Sequence, residues 1–124
     1  MNTWLAVALG GAVGALLRWQ LSGWVQQRAW GAFPWGTLAV NVLGSFLLGF
    51  LFVWFLERST ASEAVRMGFT VGFLGALTTF STFSLETMRL IEEQAWLLAC
   101  ANVLAQVLLG LFGVWLGVRV ARLI

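Results

Sequence analysis

The sequence contains no histidine, no lysine, no aspartate and a single cysteine, Cys100. Those absences remove His-based acid/base chemistry, Cys/His metal sites and thiol pairs within the chain. Charge is also scarce: 10% of residues are charged, against about a quarter in a soluble domain. With 60% hydrophobic residues, the chain cannot cover a water-exposed surface, so it reads as an integral membrane protein. All seven basic residues are arginines, and the net charge is only +2. No basic cluster or recognition motif is present, which excludes nucleic acid as a partner. No nucleophile–base pair or ligand cluster suggests an enzyme. Cys100 has apolar neighbours and reads as a small packing residue.

What is present is four long apolar runs. They cover roughly residues 4–25, 34–56, 65–91 and 95–118, each long enough to cross a bilayer as a helix. The expected fold is therefore an all-α membrane protein, one domain over residues 1–124 with four transmembrane helices. The start, Met1-Asn2-Thr3-Trp4, lacks the positive segment of a signal peptide, so the first run reads as a retained span. Pro34 suits the first turn of the second helix, where its missing N–H costs nothing. Seven tryptophans fall near predicted helix ends, as an interfacial belt requires. Four spans place both termini on one side. Arg58, Arg66, Arg119 and Arg122 lie on that side, and Arg28 and Arg89 lie opposite. This weak excess favours cytoplasmic termini and is compatible with a mixture of both orientations.

Small residues recur at four-residue spacing: Gly10 and Gly14, Ser45 and Gly49, Gly68 and Gly72, Gly113 and Gly117. Such pairs let membrane helices approach closely. A bundle of four close-packed helices has its core filled by side chains. A conduction path then suggests a groove sealed by a second copy, most simply in a two-fold homodimer.

The polar residues inside the spans carry the functional signal. Gly75-Ala76-Leu77-Thr78-Thr79-Phe80-Ser81-Thr82-Phe83-Ser84 places hydroxyls where a lipid-facing helix carries aliphatics. Polar groups at that depth face protein or a polar path. The glycine and threonines also predict an interruption of the third helix near 75–79, tolerated only where it is buried or lines a cavity. Phe80 and Phe83 share a helix face; packing alone accounts for such a pair, but ring edges are positive and suit an anion. Arg18 either snorkels to the interface or lines a vestibule. Asn41, with Thr37 on its face, either ties helices together or donates to an ion. Glu86 reads as a proton or cation site, or as a partner of nearby hydroxyls. Asn102 and Gln106 form a polar stripe that serves packing or path lining equally well. Carbonyls exposed by the interruption are hard oxygen ligands for a cation such as Na⁺.

Three segments bring a resemblance into view. They are Gly10 to Trp19 (GGAVGALLRW), Pro34 to Asn41 (PWGTLAVN) and Gly72 to Glu86 (GFLGALTTFSTFSLE). Together they resemble the Fluc (CrcB) family of fluoride channels, in the right order and over nearly the whole chain. The resemblance implies an antiparallel, dual-topology homodimer with two pores, exporting fluoride passively across the inner membrane of a prokaryote. It implies Phe80 and Phe83 as ring-edge ligands of fluoride, and Asn41 as a donor beside them. Ser81 and Thr82 would continue a polar track with Glu86 near it, and Arg18 would face the vestibule. The Gly75 and Thr78 carbonyls would hold a structural Na⁺ at the dimer interface. One departure stands in the fourth span, where Val114 occupies the place of a hydroxyl. The competing reading is a small proton-coupled multidrug-type exporter working through Glu86, although the first span lacks the acid such exporters use.

Overall fold

The computed structural model describes residues 1–124 and is entirely helical, with no strands. Four helices are long and apolar enough to cross a membrane: Thr3–Arg28, Trp35–Arg58, Glu63–Glu92 and Trp96–Leu123. Each exceeds its expected span, by up to five residues at the C-terminal end of the fourth (residue 123 against 118). The reason is that helical hydrogen bonding continues past the apolar run, into polar residues such as Gln26, Arg28, Glu57, Arg58, Glu92 and Arg119. Asn2 caps the first helix by accepting the Trp4 N–H at 2.7 Å. Pro34 stands one residue before the second helix, as its cap, and not inside the first turn.

The third and fourth helices are joined by a tight turn. Gln94 adopts φ 59°, the Ala95 N–H reaches the Leu90 carbonyl at 2.8 Å, and the Gln94 N–H reaches Ile91 at 2.9 Å. This is the Schellman ending, with glutamine in the left-handed position that glycine usually fills.

Packing follows the small residues. The first helix lies along the N-terminal half of the third, and the second along the fourth. A methyl on Gly10 or Gly14 would collide with the Gly68 or Phe73 carbonyl, and one on Gly72 with the backbone of Val7. Gly49 abuts the backbone at Val114, and Gly117 the backbone at Phe46, in the same way on the other side of the bundle. Backbone-to-backbone contact of this kind supplies dispersion contacts that lipid cannot match. Only 21 residues are buried, among them Leu38, Val40, Val53, Leu74 and Leu77. The exterior is apolar almost throughout, as a lipid-facing surface requires. Cys100 lies on that exterior and not in the packed interior the sequence suggested. At one end, Arg58 donates to the Ile124 carbonyl at 2.8 Å and ties the second helix to the fourth.

A testable contrast follows from the first helix. Gly14→Ala must separate two backbones, at about 1–3 kcal/mol for overpacking. Gly23→Ala meets nothing within 4 Å. Thermal unfolding in detergent should show the first variant clearly below the parent and the second at or above it.

Candidate functional site

Near the middle of the third span, Thr78 (φ −91°, ψ 155°) and Thr79 (φ −150°, ψ 116°) are extended. Gly75 to Leu77 before them keep a helical turn, and the helix resumes over Phe80–Glu92. In a continuous helix the Thr79 N–H would bond Gly75, and the Thr82 N–H would bond Thr78. Instead the Thr79 N–H donates to Asn41 Oδ1 at 2.7 Å. The Thr82 N–H donates to Thr79 Oγ1 at 3.2 Å, which makes Thr79 the cap of the resumed helix. The Gly75 and Thr78 carbonyls are left without their helical partners. They are hard oxygens, and one chain supplies two of them, so they suit a cation shared with a second set of ligands.

Asn41 holds the extended residues from both sides. Besides accepting from Thr79 N–H, its Nδ2 donates to the Thr79 carbonyl at 3.1 Å and to Gln106 Oε1 at 2.9 Å. A carboxamide has one acceptor and two donor hydrogens, so all three functions are engaged. Gln106 Nε2 in turn donates to Asn102 Oδ1 at 3.5 Å, the longest link. Asn102, fully buried, donates to Thr87 Oγ1 at 2.9 Å, and Thr87 donates to the Phe83 carbonyl at 2.8 Å. The network leaves the third span at Thr79, crosses the second and fourth helices, and returns to the third at Phe83. The two residues of the fourth-span stripe therefore divide: Asn102 packs, and Gln106 reaches a groove.

That groove, about 350 Å³, is lined by Asn41, Ser45, Thr78, Phe80, Phe83 and Gln106 among others. The Phe80 and Phe83 rings meet edge to face with centroids 5.6 Å apart. An edge-to-face pair presents positive C–H edges as well as a negative face. Phe80 is 78% exposed in the single chain, so the groove is open on one flank.

The remaining sequence candidates are spread more widely. Thr82 accepts from the Thr79 hydroxyl at 3.0 Å, while Ser81 is exposed and lies 3.4 Å from the same hydroxyl. Glu86 lines a separate depression with Gln26 and Arg89; its Oε1 accepts from Thr37 at 2.7 Å and its buried Oε2 has no partner. Arg18 is part-exposed on the first helix and lines neither depression. Val114 is exposed on the fourth helix, away from the groove. Sequence reasoning missed Thr87, whose signal was its position four residues after Phe83. It also missed Gln26, which accepts from the Gly36 N–H at 3.0 Å and donates to the Phe33 carbonyl at 3.1 Å, clamping the first loop.

Comparison with known proteins decides the family. The family described as CrcB-like protein, Camphor Resistance (CrcB) matches residues 5–118. The chain belongs to the CrcB family. It is 51% identical over 122 residues to a fluoride-specific ion channel FluC of Geobacter sulfurreducens, covering 98% of both chains. It is 48% identical to one from Geotalea daltonii over the full length of both. It is 52% identical to one from Magnetococcus marinus over 118 residues, 95% of this chain and 96% of that one. The groove, with its paired rings, therefore belongs to a CrcB-family member whose relatives are named as channels.

Replacing the clamp tests the geometry. Asn41→Leu strips partners from the Thr79 N–H, the Thr79 carbonyl and Gln106 Oε1, at about 1–3 kcal/mol for each group left unpaired. The variant should unfold at lower temperature than the parent. Hydrogen exchange at the Thr79 amide should accelerate far more than at Leu77.

Proposed function

We propose that this protein is a fluoride-selective channel, working passively as an antiparallel homodimer in the inner membrane of a prokaryote. The observation that carries the reading is the meeting, in one groove, of the Phe80–Phe83 edge-to-face pair with the Asn41 and Gln106 carboxamides. Fluoride is small and strongly hydrated, so a path through lipid must offer donors and positive edges in place of water. A groove open beside an exposed Phe80 supports closure by a second copy, which brings its own rings and carbonyls.

In this reading Phe80 and Phe83 turn ring edges to the ion. Asn41 donates to it beside them. Ser81 and Thr82 extend the hydroxyl track toward Glu86, whose Oε1 is already held by Thr37. Arg18 raises the local anion concentration at the mouth. The third helix is broken at Thr78–Thr79, and the Gly75 and Thr78 carbonyls of two copies provide four hard oxygens for Na⁺. When bound there, Na⁺ supplies a fixed positive charge that lowers the cost of an anion in the low-dielectric interior. The inside-negative potential drives the anion outward, by about 2.3 kcal/mol per 100 mV, with no need for ATP. Successive weak sites permit release. The alternative, a proton-coupled exporter using Glu86, draws no support from relatives named as channels.

The test is efflux from liposomes containing the purified protein, followed with a fluoride electrode. Fluoride should leave and chloride should stay behind. Phe83→Ile removes one aromatic edge, worth about 0.5–1.5 kcal/mol, and should slow efflux roughly two- to tenfold. Chloride passing as fast as fluoride ends the selectivity claim.

A further inference from the structure

Both donor hydrogens of Asn41 are already spoken for: one by the Thr79 carbonyl, the other by Gln106 Oε1. An ion that takes a hydrogen from Asn41 must therefore displace one of these acceptors. Thr79 is main chain, and its N–H is bound to the same carboxamide, so its place is fixed. Gln106 is a side chain on the fourth helix, lining the same groove as Phe80 and Phe83, and its one other bond, to Asn102, is long at 3.5 Å, so it yields more readily than main chain.

We propose that Gln106 tunes the affinity of the path for its anion, as a competing acceptor that occupies the Asn41 donor until an anion takes it. The proposal rests on the reading of the groove as a fluoride path and adds a role on the fourth helix.

The orientation of Gln106 is determined by its surroundings. The Thr79 N–H can only donate, so Asn41 Oδ1 must face it and Asn41 Nδ2 must face Gln106. Gln106 accordingly turns Oε1 to Asn41 and Nε2 to Asn102 Oδ1. Asn102 is fully buried, and its own Nδ2 is bound to Thr87, whose hydroxyl hydrogen goes to the Phe83 carbonyl. A flip of Gln106 would set donor against donor at Asn41 and acceptor against acceptor at Asn102. Asn41 thus meets the groove with its donor occupied, and each ion must exchange with an internal oxygen. Such exchange weakens binding and hastens release, which a conducting site requires.

Two substitutions at this position push in opposite directions. Gln106→Met keeps length and volume but offers only a thioether, a weak acceptor, so the Asn41 hydrogen becomes available to the ion. Gln106→Glu keeps an acceptor and adds a negative charge, so it competes harder and repels the anion. The experiment is liposome efflux at graded internal fluoride, which yields a half-saturating concentration and a maximal rate for each protein. The methionine variant should lower the half-saturating concentration roughly two- to tenfold, the worth of one hydrogen bond. The glutamate variant should raise it by at least as much. A purely structural role would move both variants the same way, and that result overturns the proposal. So does an unchanged half-saturating concentration in Gln106→Met. If Met does not assemble, Gln106→Leu is held to the same expectation. A parent protein that conducts no fluoride sinks the channel reading and this inference together, whereas a conducting parent with unmoved variants sinks only the inference.

Discussion

Everything distinctive about this bundle depends on one carboxamide holding one peptide unit. Two residues of extended backbone in the middle of a membrane expose N–H and C=O groups that lipid cannot satisfy. Asn41 answers both at Thr79, with its oxygen on the N–H and its nitrogen on the carbonyl. Aspartate could not donate, leucine could do neither, and a hydroxyl could not span both groups in this way. Once Thr79 is held, its own hydroxyl is free to cap the helix that follows, and that helix sets the directions of Phe80 and Phe83. The aromatic pair is positioned by a polar contact made on the second helix, thirty-eight residues away in sequence.

The close packing of glycines serves the same end. The first helix grips the N-terminal half of the third through Gly10, Gly14 and Gly72, and the second grips the fourth through Gly49 and Gly117. With backbones this close, no room remains for a pore through the middle of four helices. The polar groups gather on a flank, where the groove lies open and a phenylalanine stands largely uncovered. A groove on the flank of a small bundle is the arrangement that the proposed homodimer would complete with a second copy.

The sequence revealed the spans readily because lipid turns hydropathy into a direct record of which residues face outward. It placed their ends less well, since helical bonding runs on into Gln, Arg and Glu side chains that hydropathy counts as outside. The polar residues of the site were each visible as anomalies in an apolar run. Their partnerships were not. Thr37 meets Glu86 across forty-nine residues, and Asn41 meets Gln106 across sixty-five, and neither distance has a signature in one sequence. Asn102 and Gln106 looked alike, one turn apart on one helix, yet one is sealed inside and the other reaches the groove. Thr87 passed unnoticed because a hydroxyl bonding back to the carbonyl four residues earlier is ordinary behaviour for threonine in a helix.

The extended pair also creates two ends of opposite polarity within a few ångströms of chain. The Gly75 carbonyl of the helical turn before it and the Thr78 carbonyl of the pair itself lack helical partners. The helix after it begins with N–H groups, whose summed dipole is positive at Phe80. A cation is favoured on one side and an anion on the other, and neither preference requires a charged side chain at that depth. This explains how a chain with so few ionisable residues can treat ions selectively. It spends its polarity on main chain and carboxamides, whose dipoles are fixed by packing and need no solvent to orient them. Charged side chains in the same place would bind an anion too tightly or repel it outright. Dipoles and ring edges fall between those limits, and ion passage depends on that intermediate strength.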